Sequence, residues 1–144
     1  MSLFSALSVS ASGMDVQRTR AEVLAKNLAN AETTRTPEGG PYKRQDVVFE
    51  SEQIAPSFTA VLSGQMTENT GVKIGELVVD QRDPQKRYLP GHPDADKDGY
   101  VAFPRVNPSE DMVDLMGAAR GYQANVAAVS AVKDMIQRSI DLLK

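Results

Sequence analysis

The stretch Asn107–Lys144, NPSEDMVDLMGAARGYQANVAAVSAVKDMIQRSIDLLK, decides the fold. Asn107 is a helix-capping residue, Pro108 suits the first helical position, and Glu110 completes an N-x-x-E capping box. Glu110, Asp111 and Asp114 place negative charge where the helix dipole favours it. Steps of three and four then pick out Met112, Leu115, Ala119, Tyr122, Val126, Val129, Lys133, Ile136, Ile140 and Leu143. All but Lys133 are apolar, so one stripe runs the length of the segment. At 1.5 Å per residue this helix spans ~54 Å, a length that suits a coiled coil better than a compact domain. Gly117 and Gly121 form a G-x-x-x-G inside it. The helix carries too many charges for a membrane, so this spacing reads as close approach of a neighbouring backbone.

At the other end of the chain, Ser2–Ala29 predicts a second helix of ~42 Å. Leu7, Met14, Ala21 and Leu28 repeat at seven, with Leu3 and Leu24 between them, which is a coiled-coil seam interrupted by Ser10 and Gln17. Val9, Val16 and Val23 form a second line beside it. Between the helices the composition changes. All eight prolines fall within 33–108, and Gly39-Gly40-Pro41 and Pro90-Gly91-His92-Pro93 break any regular element. Short β-branched or aromatic runs at Val47–Phe49, Phe58–Leu62, Val72–Asp80 and Tyr100–Phe103 predict strands. The expected architecture is α+β. Long N- and C-terminal helices pair as an antiparallel coiled coil, with a small β-rich middle module. The expected parts are 1–31, 32–107 and 108–144, the two helices together forming one core domain.

Composition excludes several functions. Sixteen basic against nineteen acidic residues give a net charge of −3. Nucleic acid is not an expected partner, because phosphate binding needs a basic excess. With no cysteine there is no disulfide, thiolate nucleophile or Cys-ligated metal. Met1–Gln17 has no Lys or Arg and its apolar residues alternate with Ser, so it does not read as a cleavable signal. No stretch supplies the ~18 apolar residues of a membrane span.

The best catalytic-looking motif also fails. Asp94-Ala-Asp96-Lys-Asp98-Gly99-Tyr100-Val101 matches the opening of a calcium loop. Position twelve, which should be a bidentate Glu, is Arg105, and Pro93 and Pro104 flank the run. It reads instead as an Asp/Gly turn feeding a strand. His92, the only histidine, sits in a turn and reads as structural. No catalytic, metal or cofactor-binding residue is expected.

What remains is surface. Both helices carry more apolar side chain than one partner covers, which predicts packing against further subunits and incomplete order of the lone chain. Asn27, Asn30 and Asn125 are unusual in or beside helix seams. Asn30 reads as helix-ending, and the others either as exposed polar residues or, in the sharper reading, as register-fixing polar contacts between subunits. The expected assembly interface is Leu7, Met14, Leu24, Asn27, Leu28, Asn30, Met112, Leu115, Tyr122, Asn125, Val126, Val129, Ile136 and Ile140.

One run is more specific. Ala25-Lys-Asn27-Leu28-Ala29-Asn30-Ala-Glu-Thr33-Thr34, followed by Tyr42-Lys43-Arg44 and Phe49, resembles the N-terminal signature of bacterial flagellar rod and hook proteins. Gly71-Val72 through Val79-Asp80, Tyr88–Asp96, Gly99-Tyr100-Val101, Glu110–Met116 and Ala119–Val126 are similar to the proximal-rod members with a short middle region. Arg105 departs from the Asn of that pattern. The resemblance implies a structural subunit of the basal-body rod in the periplasm, transmitting torque and lining the export channel. It also implies export through the flagellar type III apparatus without signal cleavage. Its neighbours would be copies of itself and FlgB, FlgF and FliE, and no catalysis is implied. A soluble helical adaptor or secretion-chaperone-like module is the alternative that the residues alone leave open.

Overall fold

The computed structural model describes residues 3–54 and 69–142. The elements are α1 (Leu3–Ala29), β1 (Gln45–Ile54), β2 (Asn69–Val79), β3 (Gln85–Tyr88), β4 (Tyr100–Phe103) and α2 (Pro108–Asp141). The expected strand Phe58–Leu62 lies outside the described residues. The fold is α+β, with long helices at both ends and antiparallel strands between them.

Local chemistry sets the helix ends. At α2, the Asn107 side chain accepts from the Ser109 amide at 3.2 Å, and Pro108 occupies the position where no N–H is needed. At the end of α1, the Asn30 side chain donates to the Lys26 carbonyl at 2.8 Å and its Oδ1 accepts from the Thr33 hydroxyl. That arrangement satisfies a carbonyl the helix leaves open. The two helices run antiparallel. Stepping back along α1 from Arg20 to Gln17 to Gly13 moves forward along α2 from Asp114 to Gly121 to Asn125.

The strands form two separate two-stranded ladders, β1 with β2 and β3 with β4. The β1–β2 register shifts between Val48 and Phe49, leaving Gly75 as the extra residue on β2. A Cβ there would meet the Glu50 side chain, which would have to swing aside. Both strands are longer than the apolar runs suggest. β3 was not foreseen, because Gln-Lys-Arg-Tyr has no alternation and all four residues are exposed. It is held from one side: Tyr88 meets Tyr100 edge-on at 5.4 Å, and the Arg87 guanidinium lies 4.8 Å from the Phe103 ring centre. Gly99, at φ +80°, makes the turn into β4.

One buried amide ties these parts together. Asn27 is fully enclosed. Its Nδ2 donates to the Gln45 carbonyl at 2.8 Å, and its Oδ1 accepts from the Gln45 amide at 3.0 Å and the Tyr42 hydroxyl at 2.9 Å. The last turn of α1 thereby fixes the first residue of β1. Fifteen positions earlier on the helix, Ser12 Oγ accepts from the Val72 amide of β2 at 3.2 Å. The hairpin therefore lies along α1 and is attached at two levels. Val23 and Leu24 line a cleft with Val47 and Phe49 of β1. Val16, Val23 and Leu24 are buried inside the chain, so two of the three valines of that line are covered by the chain's own elements, while Val9 is exposed.

Replacing Asn27 by Ala leaves both Gln45 backbone groups and the Tyr42 hydroxyl without partners. We expect a loss of about 3 kcal/mol, against about 1 kcal/mol for Tyr42→Phe, read from urea unfolding of the purified chain.

Candidate functional site: the assembly surface

The start of α2 meets the middle module through charge. Asp111, on the first turn of α2, is 1% exposed. Its Oδ1 lies 3.1 Å from Nη2 of Arg44, which also lies 3.3 Å from Asp46. The alignment does not make a hydrogen bond, so both Asp111 oxygens and Arg44 Nε lack one among the described residues. One turn further, Asp114 pairs with Arg20 of α1 at 3.5 Å. Burial pushes the Asp111 carboxyl above the ordinary carboxylate range. Arg44 opposes that shift, and Asp46, Asp114 and Glu110 add to it. Burial and the nearby Asp111 likewise raise the Tyr42 phenol, which keeps it a hydrogen donor to Asn27. Elsewhere, the Arg82 side chain and amide hold Asp80 far below the ordinary carboxylate range.

The expected interface residues divide into three groups. Leu24 and Asn27 are buried within the chain, and the Asn27 amide spends its hydrogen bonds on Tyr42 and Gln45. Leu7, Met14, Leu28, Asn30, Leu115, Asn125, Val129 and Ile136 are half-buried. Met112, Tyr122, Val126 and Ile140 are exposed, at 52%, 41%, 42% and 47%. Val113, Met116 and Met135 of α2 are exposed as well, as are Leu142 just beyond it and Phe4, 75% exposed, at the start of α1. Between the helices lies an open groove to which both contribute small and large side chains, Ala21 and Glu22 among those of α1 and Ala118 and Tyr122 among those of α2.

The Gly117/Gly121 pair does not act as expected. A Cβ on Gly117 would meet nothing within 4 Å, while Gly121 lies against the Gln17 side chain, not a backbone. Sequence reasoning also missed Asp111 and Arg44. The available signal was a seven-residue line, Asp111, Ala118, Asn125 and Val132, one position off the stripe chosen from the apolar residues. Three of those four are buried, and Asn125 is half-buried.

The Asp94–Asp98 loop is a turn. Asp96 Oδ1 accepts from the amides of Asp98 and Tyr100 at 2.9 and 2.8 Å, and Asp94 accepts from the Thr34 hydroxyl at 2.8 Å. His92 Nδ1 accepts from the Asp94 amide, and its ring packs edge-on to Phe103. Among the described residues, no three His, Asp or Glu side chains group as metal donors. No described helix is long and apolar enough to cross a membrane.

The raised Asp111 sets the sign of one pH effect. A carboxyl that holds its proton more tightly in the fold than in the open chain costs stability once it ionises. That cost is absent below the ordinary carboxylate range and appears as pH rises through and above it. Asp80 acts in the opposite sense, its stabilisation being lost as pH falls through that range. In Asp111→Asn the first contribution is gone. Between about pH 4 and 7 the wild-type urea midpoint should fall relative to that of the variant as pH rises; parallel curves would show that Asp111 titrates normally.

Residues 97–142 match the family described as flagellar basal body rod FlgEFG protein C-terminal. The curated relatives extend the likeness to the whole chain. The flagellar basal-body rod protein FlgC of Bacillus subtilis is 39% identical, covering 100% of both chains. That of Borreliella burgdorferi is 36% identical over 100% of this chain and 99% of its own. That of Salmonella typhimurium is 37% identical over 99% and 98%. The junction built by Asn27, Asn30, Thr33, Tyr42 and Arg44 falls on the rod-and-hook signature itself. With full-length identity above one third to several of its members, the chain belongs to the FlgC family of flagellar basal-body rod proteins, structural subunits of the rod.

Proposed function

We propose that this subunit transmits torque through the periplasmic rod, with α1 and α2 as its inner core and the strand module packed outside them. In this reading the paired helices line the export channel, residues 1–31 and 108–144 form the core domain, and residues 32–107 form the outer module. The neighbours are further copies of the chain and FlgB, FlgF and FliE. Export runs through the flagellar type III apparatus without signal cleavage.

The observation that carries the reading is the set of large apolar side chains left open along α2 while two polar ones are buried at its junction with α1 and the strands. Asn27 and Asp111 are sealed inside, while Met112, Val113, Met116, Tyr122, Val126 and Ile140 lie open along α2. An apolar surface left in water costs ~25 cal/mol per Å², and packing against other subunits removes that cost. A shaft under torsion needs each subunit held by several neighbours, and interlocked helices resist sliding because their side chains are close-packed. Head-to-tail contacts of this kind propagate along a helical array instead of closing on themselves. The ends of the helices farthest from the Asn27 junction have the least covering and should order last, on assembly.

Val126→Asp places a charge on the open face without disturbing a buried contact. Cells making this variant should contain normal amounts of the protein yet fail to spread in soft agar. The more enclosed Leu28→Asp should behave likewise. Circular dichroism with sizing of the purified chain at micromolar concentration should show a monomer with less helix than the full α1 and α2. Normal swimming by Val126→Asp would sink the proposal.

A further inference from the structure

The helices also meet through two polar pairs that an apolar stripe does not call for. A Cβ on Gly13 of α1 would lie 2.9 Å from Oδ1, 3.0 Å from Nδ2 and 3.1 Å from Cγ of Asn125 on α2. A Cβ on Gly121 of α2 would lie 3.1 Å from Cδ and 3.3 Å from Cγ of Gln17 on α1. Each helix thus offers one glycine and one amide side chain, four positions apart, and each amide rests on the other helix's glycine. The two pairs are joined. Asn125 Nδ2 donates to the carbonyl of Gly121 at 2.9 Å, so the amide over Gly13 is anchored to the residue on which Gln17 lies. Asn125 therefore cannot swing aside to admit a methyl group without losing that bond. Gln17 Oε1 is buried without a hydrogen-bond partner among the described residues, a cost that stability alone does not explain.

We infer that Gly13, Gln17, Gly121 and Asn125 form a register key that fixes how far α1 is displaced along α2. A slide of one helical turn would set Asn125 on Val9 or on Gln17, an amide against a branched apolar side chain or against a second amide. The apolar seam tolerates such a slide, since its residues recur every three or four positions; the key does not. Register matters beyond the chain itself. The groove between the helices is lined by both, with Ala21, Glu22 and Ala25 among the residues of α1 and Leu115, Ala118 and Tyr122 among those of α2, and a slide would change which of them face each other. The key thereby sets the shape of the surface that another subunit meets, whatever that subunit is.

Alanine in place of glycine raises stability in an ordinary helix interior. Here Gly13→Ala and Gly121→Ala should each lower the melting temperature of the full chain, by about 5 °C from overpacking. Rescue should follow the pairs. Asn125→Ala should restore Gly13→Ala but not Gly121→Ala, and Gln17→Ala should restore Gly121→Ala but not Gly13→Ala. The same variants scored for spreading in soft agar should rank in the same order. A rise in melting temperature in either glycine variant, or rescue of both by one amide substitution, overturns the key. The rod reading is judged separately by Val126→Asp: normal swimming there with pair-specific rescue in melting keeps the key and removes the rod.

Discussion

The fold depends on a single constraint, the need of the Gln45 backbone for hydrogen-bond partners at the point where the chain turns back against the first helix. Asn27 meets that need with one side chain, donating to the carbonyl and accepting from the amide of the same residue. A strand neighbour does the same for a residue in a ladder, so the amide stands in for one strand's worth of pairing. Asn30 and Thr33 close the helix just beyond it, and Tyr42 approaches from the returning chain to complete the acceptor. The signature run from Ala25 to Arg44 is therefore a piece of carpentry: helix, stop, loop and strand start are made by residues that bond to one another.

The distribution of polar and apolar residues follows from the same constraint. A junction of three elements carries unpaired backbone groups and needs side chains that can answer them, so Asn27, Tyr42, Arg44 and Asp111 gather there. Aliphatic residues of α1 are spent against the hairpin and α2. Much of the apolar surface of α2 has no counterpart within the chain. For a member of a rod-forming family this division is sensible: polar groups give the lone chain a defined shape at one end, and apolar ones remain for contact with other rod components.

The two long helices were legible in the sequence because their signals are local. The Asn107-Pro108 cap, the seven-residue spacings and the exclusion of proline from both ends are read within a few turns. Other features were not, for physical reasons. β3 exists because Tyr100 and Phe103 receive Tyr88 and Arg87, and nothing in its own pattern signals a strand; its stability belongs to its partner strand. Asn27 was read as a contact to another subunit, since a polar residue beside a seam looks the same whether its partner is on another chain or at Gln45. Asp111 was read as a dipole counter-charge, because helix position predicts that role while burial depends on where Arg44 arrives. The buried line of α2 lies one residue from the apolar stripe, and only the packing of α1 distinguishes them.

The two attachments of the hairpin to α1 have a mechanical consequence. From Asn27 back to Ser12 the helix climbs ~22 Å, and from Val79 to Val72 the strand covers ~23 Å, so the two elements keep step between their fixings. Layers pinned at both ends cannot shear past each other when bent. They flex as one laminated beam, and the stiffness of such a beam grows with the square of the separation of its layers. A helix and a ribbon, each pliable alone, become a splint when joined at two levels.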